Sequence, residues 1–534
     1  MVSRKKRTDE IVSVYPWRAF EPGTLSLSFS MRRLGEAVFR LVCNRYPRSR
    51  IICRLAALSL LMSVTVAAPQ ENKNMPASFS RETLAELQKI QRAALESDYA
   101  YRQLSHLSNN IGPRLSGSPQ AQKAVEYIAD QMKRLGADVQ FEKLMVPHWV
   151  RGEETAALVE YPGQAPNTPQ KVVLTALGSS VATPSEGITA EVVVVNSFDE
   201  LAALGREKIA GKIVLFNARF DKQMAAQGFA MEAYGQAVVY RAFGPSGAAR
   251  LGAIAALIRS VGGADYRLPH TGGLHYAEDA PKIPGAAVTS EDADLIARLT
   301  SEGKVRMRVT LTPQTLPDAP SYNVIADFKG TEHPEQLIIV SGHLDSWDLG
   351  TGAIDDGAGV VIAMQAIQLL KQLGLRPKRT IRMIAWMNEE NGVVGARTYA
   401  VEHASDMANH FAAIESDHGA GHPLGFVATG EAGILPMLAQ VSTILEPSGA
   451  TLMKLGECEQ TDIAPLSAAG VPAFGLWQDG RTYFNYHHTA ADTFDKVEPR
   501  ALAENAAAMA VLAYALANLQ QALPRELPRK SAGR

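Results

Sequence analysis

Cysteine is nearly missing from this chain. Three occur in 534 residues, and two of them, Cys43 and Cys53, lie before or within an N-terminal segment that reads as a removable leader. Only Cys458 is then left, so the fold does not rest on an intramolecular disulfide. No charge of one sign dominates either: 53 Lys and Arg face 55 Asp and Glu, a net of −2. This excludes a strongly basic surface, and neither a nucleic-acid partner nor an anionic membrane surface is expected. Long apolar runs are scarce. Leu55–Ala68 follows Arg48, Arg50 and Arg54 and ends in small residues. It is too short for a confident bilayer span and has the layout of a secretory signal cut after Ala67 or Ala68. Residues 1–68 are therefore read as basic leader and signal, and the mature chain as secreted or periplasmic without stable membrane insertion. Anchoring by an uncleaved N-terminal segment is the alternative. No internal repeat is visible.

What is present is an ordinary globular composition, 46% apolar and 20% charged, with length for two or three domains. Its most informative segment is Ser341–Gly359, SGHLDSWDLGTGAIDDGAG. An apolar run, Leu337–Val340, precedes it as a buried strand, and Val360–Leu370 follows as a buried helix. One imidazole and several carboxylates thus arrive at a strand end, where open α/β sheets place their ligands. Three more β-like runs end the same way. Thr380–Met387 leads to Asn388, Glu389 and Glu390; Phe411–Ile414 leads to Glu415, Asp417 and His418; Val471–Trp477 leads to His487, His488 and Asp492. Strands alternating with helices form a parallel sheet, so these four loops converge on one edge.

The residue types suit a pair of divalent metals. Two such ions ~3.5–4 Å apart can activate one water while polarising a carbonyl, and a carboxylate must bridge them. Asp355 takes that role in this reading. His343 with Asp417 serves one metal, and His488 with Glu390 the other. Glu389, beside a ligand, is the candidate general base. Asp345 is placed to accept the second ring N–H of His343 and fix its tautomer. Asp348 and Asp356 read as loop-ordering groups, and Asp462 as a helix cap. Of the 12 histidines, His106, His148, His270, His275, His333, His403, His410 and His422 read as surface or hydrogen-bonding residues. His487 is either an oxyanion donor or a structural neighbour.

SGHLDSWDLGTGAIDDGAG, NEENG, ESDHG and HHTAADT together resemble the co-catalytic zinc exopeptidases that include bacterial leucyl aminopeptidases and glutamate carboxypeptidases. Ile111–Ser118, Pro147–Glu154, Glu186–Val192, Leu257–Ser260, Leu373–Arg379 and Thr461–Ile463 extend the resemblance over roughly residues 85 to 523. It implies an α/β fold with a mixed, mainly parallel sheet flanked by helices, and an inserted protease-associated domain over the site. It also implies two Zn²⁺ per subunit, peptide substrates and a homodimer. Position by position, His343, Asp355, Glu390, Asp417 and His488 match the zinc ligands and Glu389 the base, and the Asp355–Asp356 bond would be cis. His487 stands where some relatives have Tyr. Asn388 and His418 replace small residues of the family pattern and put substrate preference in question.

Residues 80–154 are thus assigned to the N-terminal part of the catalytic domain, 155–312 to the insertion, 313–523 to the remaining catalytic domain, and 524–534 to a disordered tail. Within them, 80–98 and 119–135 read as helices, the latter stopped by Gly136, Asp138–Val146 as a strand, Gly247–Arg259 as a helix, and Arg500–Gln521 as a closing helix. The same fold also carries acyl transferases of the glutaminyl cyclase type and non-catalytic receptor-like modules. These are the competing functions.

Overall fold

The computed structural model describes residues 79–457 and 460–525. The leader 1–68, Cys458 and residues 526–534 of the expected tail lie outside them.

Eight strands form the first sheet. They are β1 (Asp138–Val150), β2 (Gln314–Phe328), β3 (His333–His343), β4 (Arg379–Trp386), β5 (His410–Glu415), β6 (Pro423–Ala428), β7 (Leu452–Leu455) and β8 (Ala473–Gln478). Their order is β1-β2-β4-β3-β5-β8-β6-β7. β3 runs parallel to both β4 and β5, and β5 parallel to β8. The four strands expected to carry the polar loops are therefore adjacent and point the same way. Antiparallel β1, β2 and β6 make the sheet mixed. Every residue of β4 is buried, as expected of a strand covered on both faces. Its Arg382 is tolerated there because Nε and Nη2 donate to Asp327 at 2.7 and 2.9 Å and Nη1 to Tyr399 at 2.9 Å.

Helices cover this sheet. α1 is Arg81–Glu96, capped by Ser80. α2 is Pro119–Leu135; Ser118 caps it, proline opens it, and Gly136 ends it in the left-handed conformation at φ 83°. Its buried face, Ala121, Ala124, Val125, Ile128 and Met132, has the expected helical spacing. Ala230–Arg250 is α3, Ala358–Leu373 α4 and Pro499–Asn518 α5. α4 and α5 are apolar over most of their length because they sit inside the core, where their residues are almost all buried.

Residues 154–311 build a second eight-stranded sheet with its own apolar clusters. One expected element differs there. Instead of a helix across Gly247–Arg259, α3 stops at Arg250 and Ala255–Arg259 is a fully buried strand. Its alanines suit either state, and the parallel pairing on both sides decides it.

The two sheets are tied at the loop after β3. Trp347 packs in the apolar cluster of the second sheet, and a Cβ on Gly178 would lie 1.9 Å from the Trp347 ring, so that close approach requires glycine. Arg151, on the connection from β1, donates to Asp348 through Nε and Nη2 at 2.8 and 2.5 Å. It also reaches the Ala176 carbonyl at 2.6 Å.

Candidate metal centre

β3 delivers His343 at its last residue, and the loop beyond it leads to Asp355 in the turn Ala353–Gly357, just before α4. The loop after β4 brings Glu389 and Glu390, that after β5 brings Asp417, and that after β8 brings His487 and His488. The Asp355–Asp356 peptide is cis.

Asp355 stands between two groups. Its Oδ1 lies 3.1 Å from His343 Nε2, which is also 3.1 Å from Asp417 Oδ1. Its Oδ2 lies 3.2 Å from His488 Nε2, which is 2.9 Å from Glu390 Oε2. Each trio converges closely enough for its donor atoms to share one cation. A third convergence, His270, His487 and His488, adjoins them.

The supports are specific. Asp345 does not take the ring proton of His343. Nδ1 of that ring is 3.0 Å from the Asp345 carbonyl oxygen and 4.0 Å from its carboxylate. The carboxylate instead accepts from the backbone N–H of Asn388 at 2.7 Å, Glu389 at 3.1 Å and Ser116 Oγ at 2.9 Å. Asp356 accepts from the N–H of His343 and Gly359. Asp492 accepts from the N–H of Ala353, Ile354 and Asp355, so the loop holding Asp355 is fixed from the loop holding His488. Arg114, wholly buried, donates to the carbonyls of Leu344, Gly112, Thr351 and Gly352. Burial pulls its guanidinium down to about 10. Asp462 is not a helix cap: both its oxygens are buried without a partner, and the short helix beyond it starts from Ile463 without a side-chain cap.

The electrostatics are those of crowded buried acids. Burial, then Asp417, Glu390 and Asp355, push Glu389 well above the usual carboxylate range. Burial and Asp355 push Glu390 to about 7. Burial alone would raise Asp355, but His487, His343 and His488 outweigh it and hold it well below the usual range. Burial would lower His343, but Asp417 and Asp355 carry it well above its ordinary value.

The site opens into a pocket of about 220 Å³. Asp355, Glu389, Glu390, Asp417, His418, His487 and His488 line one part. Met231, Tyr234, Arg241 and Gly273, from the second sheet's unit, line another. No sequence pattern pointed to these four. Their contribution depends on how 154–311 folds over the loops, and Tyr234 and Arg241 carry no motif. His270, read as a surface or hydrogen-bonding residue, is fully buried and bonded to His487.

A family model described as Peptidase family M28 matches residues 323–513, which span all four converging loops. The chain belongs to this family and is a metallopeptidase. It is 40% identical to Carboxypeptidase Q of Homo sapiens over 428 residues, 80% of this chain and 87% of that protein. It is 40% identical to Carboxypeptidase Q of Bos taurus over 429 residues, with the same coverage. Among solved structures, a peptidase M28 precursor from Shewanella amazonensis SB2B is 36% identical, with a TM-score of 0.79 over 84% of this chain and 99% of that one. An aminopeptidase from Aneurinibacillus sp. strain AM-1, 22% identical over 83% of this chain and 99% of that one, shares the fold with a TM-score of 0.56.

Proposed function

We propose that the chain is a zinc-dependent exopeptidase that hydrolyses unblocked dipeptides and short peptides, with two zinc ions per subunit and Glu389 as general base. The observation that carries this reading is the placement of Asp355 between His343 with Asp417 and His488 with Glu390. Imidazole nitrogen and carboxylate oxygen are ordinary zinc ligands. Asp355 Oδ2 and Glu390 Oε1 are buried without a hydrogen bond, and buried acceptors in native proteins are nearly always satisfied. Cations held by these residues would offset the like charges gathered there. In this reading His343 and Asp417 hold one ion, His488 and Glu390 the other, and Asp355 both. When bound, such a pair polarises a carbonyl and acidifies a water.

The chain's own groups do the rest. Glu389, whose proton affinity burial raises, takes the proton from the attacking water and hands it to the leaving amine. Asp345 holds the Glu389 backbone in place, and Asp356, Asp492 and Arg114 hold the loop of Asp355. Arg241 is the one guanidinium among the described lining residues, and its Nε has no hydrogen bond. A guanidinium so placed suits a substrate carboxylate.

We read residues 155–312 as a protease-associated domain that closes the pocket, which favours substrates short enough to fit whole. The test compares kcat/KM for one dipeptide, its N-acetyl form, its C-terminal amide and a decapeptide containing the same bond. The free dipeptide is expected to be best. Loss of a charged contact at either end should lower kcat/KM by roughly 10–150-fold, since hydrogen bonds to charged groups are worth about 1.5–3 kcal/mol. Equal rates on the decapeptide overturn the closed-site reading, and preference for the N-acetyl form points to a carboxypeptidase that ignores the amine. We also read the protein as exported and dimeric. Protein recovered from its native host should begin near Pro69 by intact mass and scatter light as a dimer. An intact N-terminus in the cytosol, or a monomer, refutes the respective reading.

A further inference from the structure

We propose that Asn323 and Glu142 form a clasp that closes the loop bearing Glu389 and Glu390, and so sets where those two carboxylates stand. The inference rests on the peptidase reading above. Neither residue is among the described lining residues of the pocket. Both act through the loop and are positioning residues.

The loop leaves the end of β4 through Met387 and returns beside it at Gly395, the second residue of the helix Val394–Glu402. At this neck the Gly395 N–H donates to the Met387 carbonyl at 3.0 Å. Asn323, wholly buried on β2, bonds the other two groups. Its Oδ1 accepts from the Met387 N–H, and its Nδ2 donates to the Gly395 carbonyl, each at 3.0 Å. A Cβ at Gly395 would lie 2.3 Å from Asn323 Oδ1 and 2.5 Å from the Met387 carbonyl oxygen, so the neck closes this tightly only on glycine. Glu142 stands directly opposite Asn323 on β1, and its Oε2 accepts from Asn323 Nδ2 at 2.6 Å. That contact fixes which way the amide faces. Turned over, its oxygen would meet a carboxylate and a carbonyl, and its NH₂ would meet an N–H. The other oxygen of Glu142 lies 3.5 Å from Nε2 of His403, which caps the far end of the same helix.

The loop needs holding. Asn388 and Val393 take left-handed φ values of 73° and 56°. Asparagine tolerates that region, but a β-branched valine is strained in it. Such strain persists only where the surroundings over-determine the backbone. Asp345 secures the N–H groups of Asn388 and Glu389, which is the outgoing half of the loop. Asn323 ties the outgoing chain to the returning chain, and so holds the stretch that contains Glu390. Opening the neck displaces Glu389 and Glu390 together. His343, Asp355, Asp417 and His488 stand on other loops and keep their places.

The experiment uses the full zinc-loaded protein with three variants, Glu142→Leu, Glu142→Gln and Asn323→Ala. Leu removes the acceptor that orients the amide, and the Gln carbonyl keeps one. Glu142→Leu is expected to lower kcat ~10–100-fold, the usual effect of losing an outer-shell partner, with KM within about threefold. Glu142→Gln should recover most of the loss, and Asn323→Ala should fall at least as far as Glu142→Leu. If Asn323→Ala does not fold, the Glu142 pair decides alone. Zinc titration of Glu142→Leu should show one binding event weakened, the one Glu390 serves, and the other unmoved. The third readout needs neither turnover nor zinc. Hydrogen exchange read by mass spectrometry should be faster across residues 388–395 in Glu142→Leu than in the parent or Glu142→Gln, with β3 and β4 protected alike in all of them. Three results overturn the proposal: equal kcat for Glu142→Leu and Glu142→Gln, equal weakening of both zinc events in folded Glu142→Leu, or unchanged exchange across residues 388–395. Failure of the peptidase reading would look different. The zinc-loaded parent would turn over no dipeptide, while the exchange difference would still be seen.

Discussion

Glu389→Gln is expected to retain fold and zinc content while kcat falls by ~10²–10⁴-fold, the usual contribution of positioned proton transfer. The amide nearly preserves shape, so the contacts that hold residue 389 survive. Those contacts are made by its backbone, whose N–H donates to Asp345 at 3.1 Å, and not by the carboxyl group that changes. Only the ability to accept and return a proton is lost. Burial and the neighbouring acids favour the protonated form of Glu389 in the absence of cations. A base must be free to receive a proton, so on the proposed reading the charge of bound ions would be what makes Glu389 available. Steady-state kinetics on a good dipeptide, with metal analysis of the same sample, checks this. A variant with near-normal kcat removes Glu389 from the role of base.

Asp355→Ala should do more. Elemental analysis after dialysis is expected to show fewer zinc ions, with affinity reduced beyond the ~10–100-fold typical of losing an outer-shell partner, and activity should be undetectable at ordinary zinc concentrations. Asp355 stands with one oxygen at each trio, so its loss opens both sites at once. Glu390→Gln touches one trio only and should weaken one ion while the other stays. Titration with zinc distinguishes the two variants: one lost binding event for Glu390→Gln, and both weakened for Asp355→Ala. A single zinc per chain in the unmodified protein, with no activity gained on adding more, would favour the cyclase-type chemistry that needs one ion.

The fold class and the convergence of four loops were legible because they rest on local signals. Apolar runs of strand length end in His, Asp and Glu, and strand–helix alternation places those ends on one edge. Helical spacing and Gly136 likewise announced the extent of α2. What failed to show in the sequence is long-range. Asp345 has a plausible partner two residues away in His343, yet its carboxylate turns to the backbone of the Glu389 loop. That choice depends on how closely β3 and β4 approach, which residue spacing does not encode. Arg114 lies in a segment whose resemblance was visible, but a guanidinium spent on backbone carbonyls reads like any other arginine. His270 and His487 are 217 positions apart, and nothing in either neighbourhood announces the other.

The seating of Trp347 has a consequence for how such a chain can be altered. Its indole belongs by sequence to the loop that leads to Asp355, but by packing to the core of the second sheet. Arg151 fastens the same loop through Asp348. The second sheet is therefore not a removable accessory carried on a self-sufficient hydrolase. Excising it would strand an indole and an aspartate in water and free the turn that presents Asp355. Exchanging it for a relative's version requires carrying the loop along, so the graftable cassette is the sheet and the loop together.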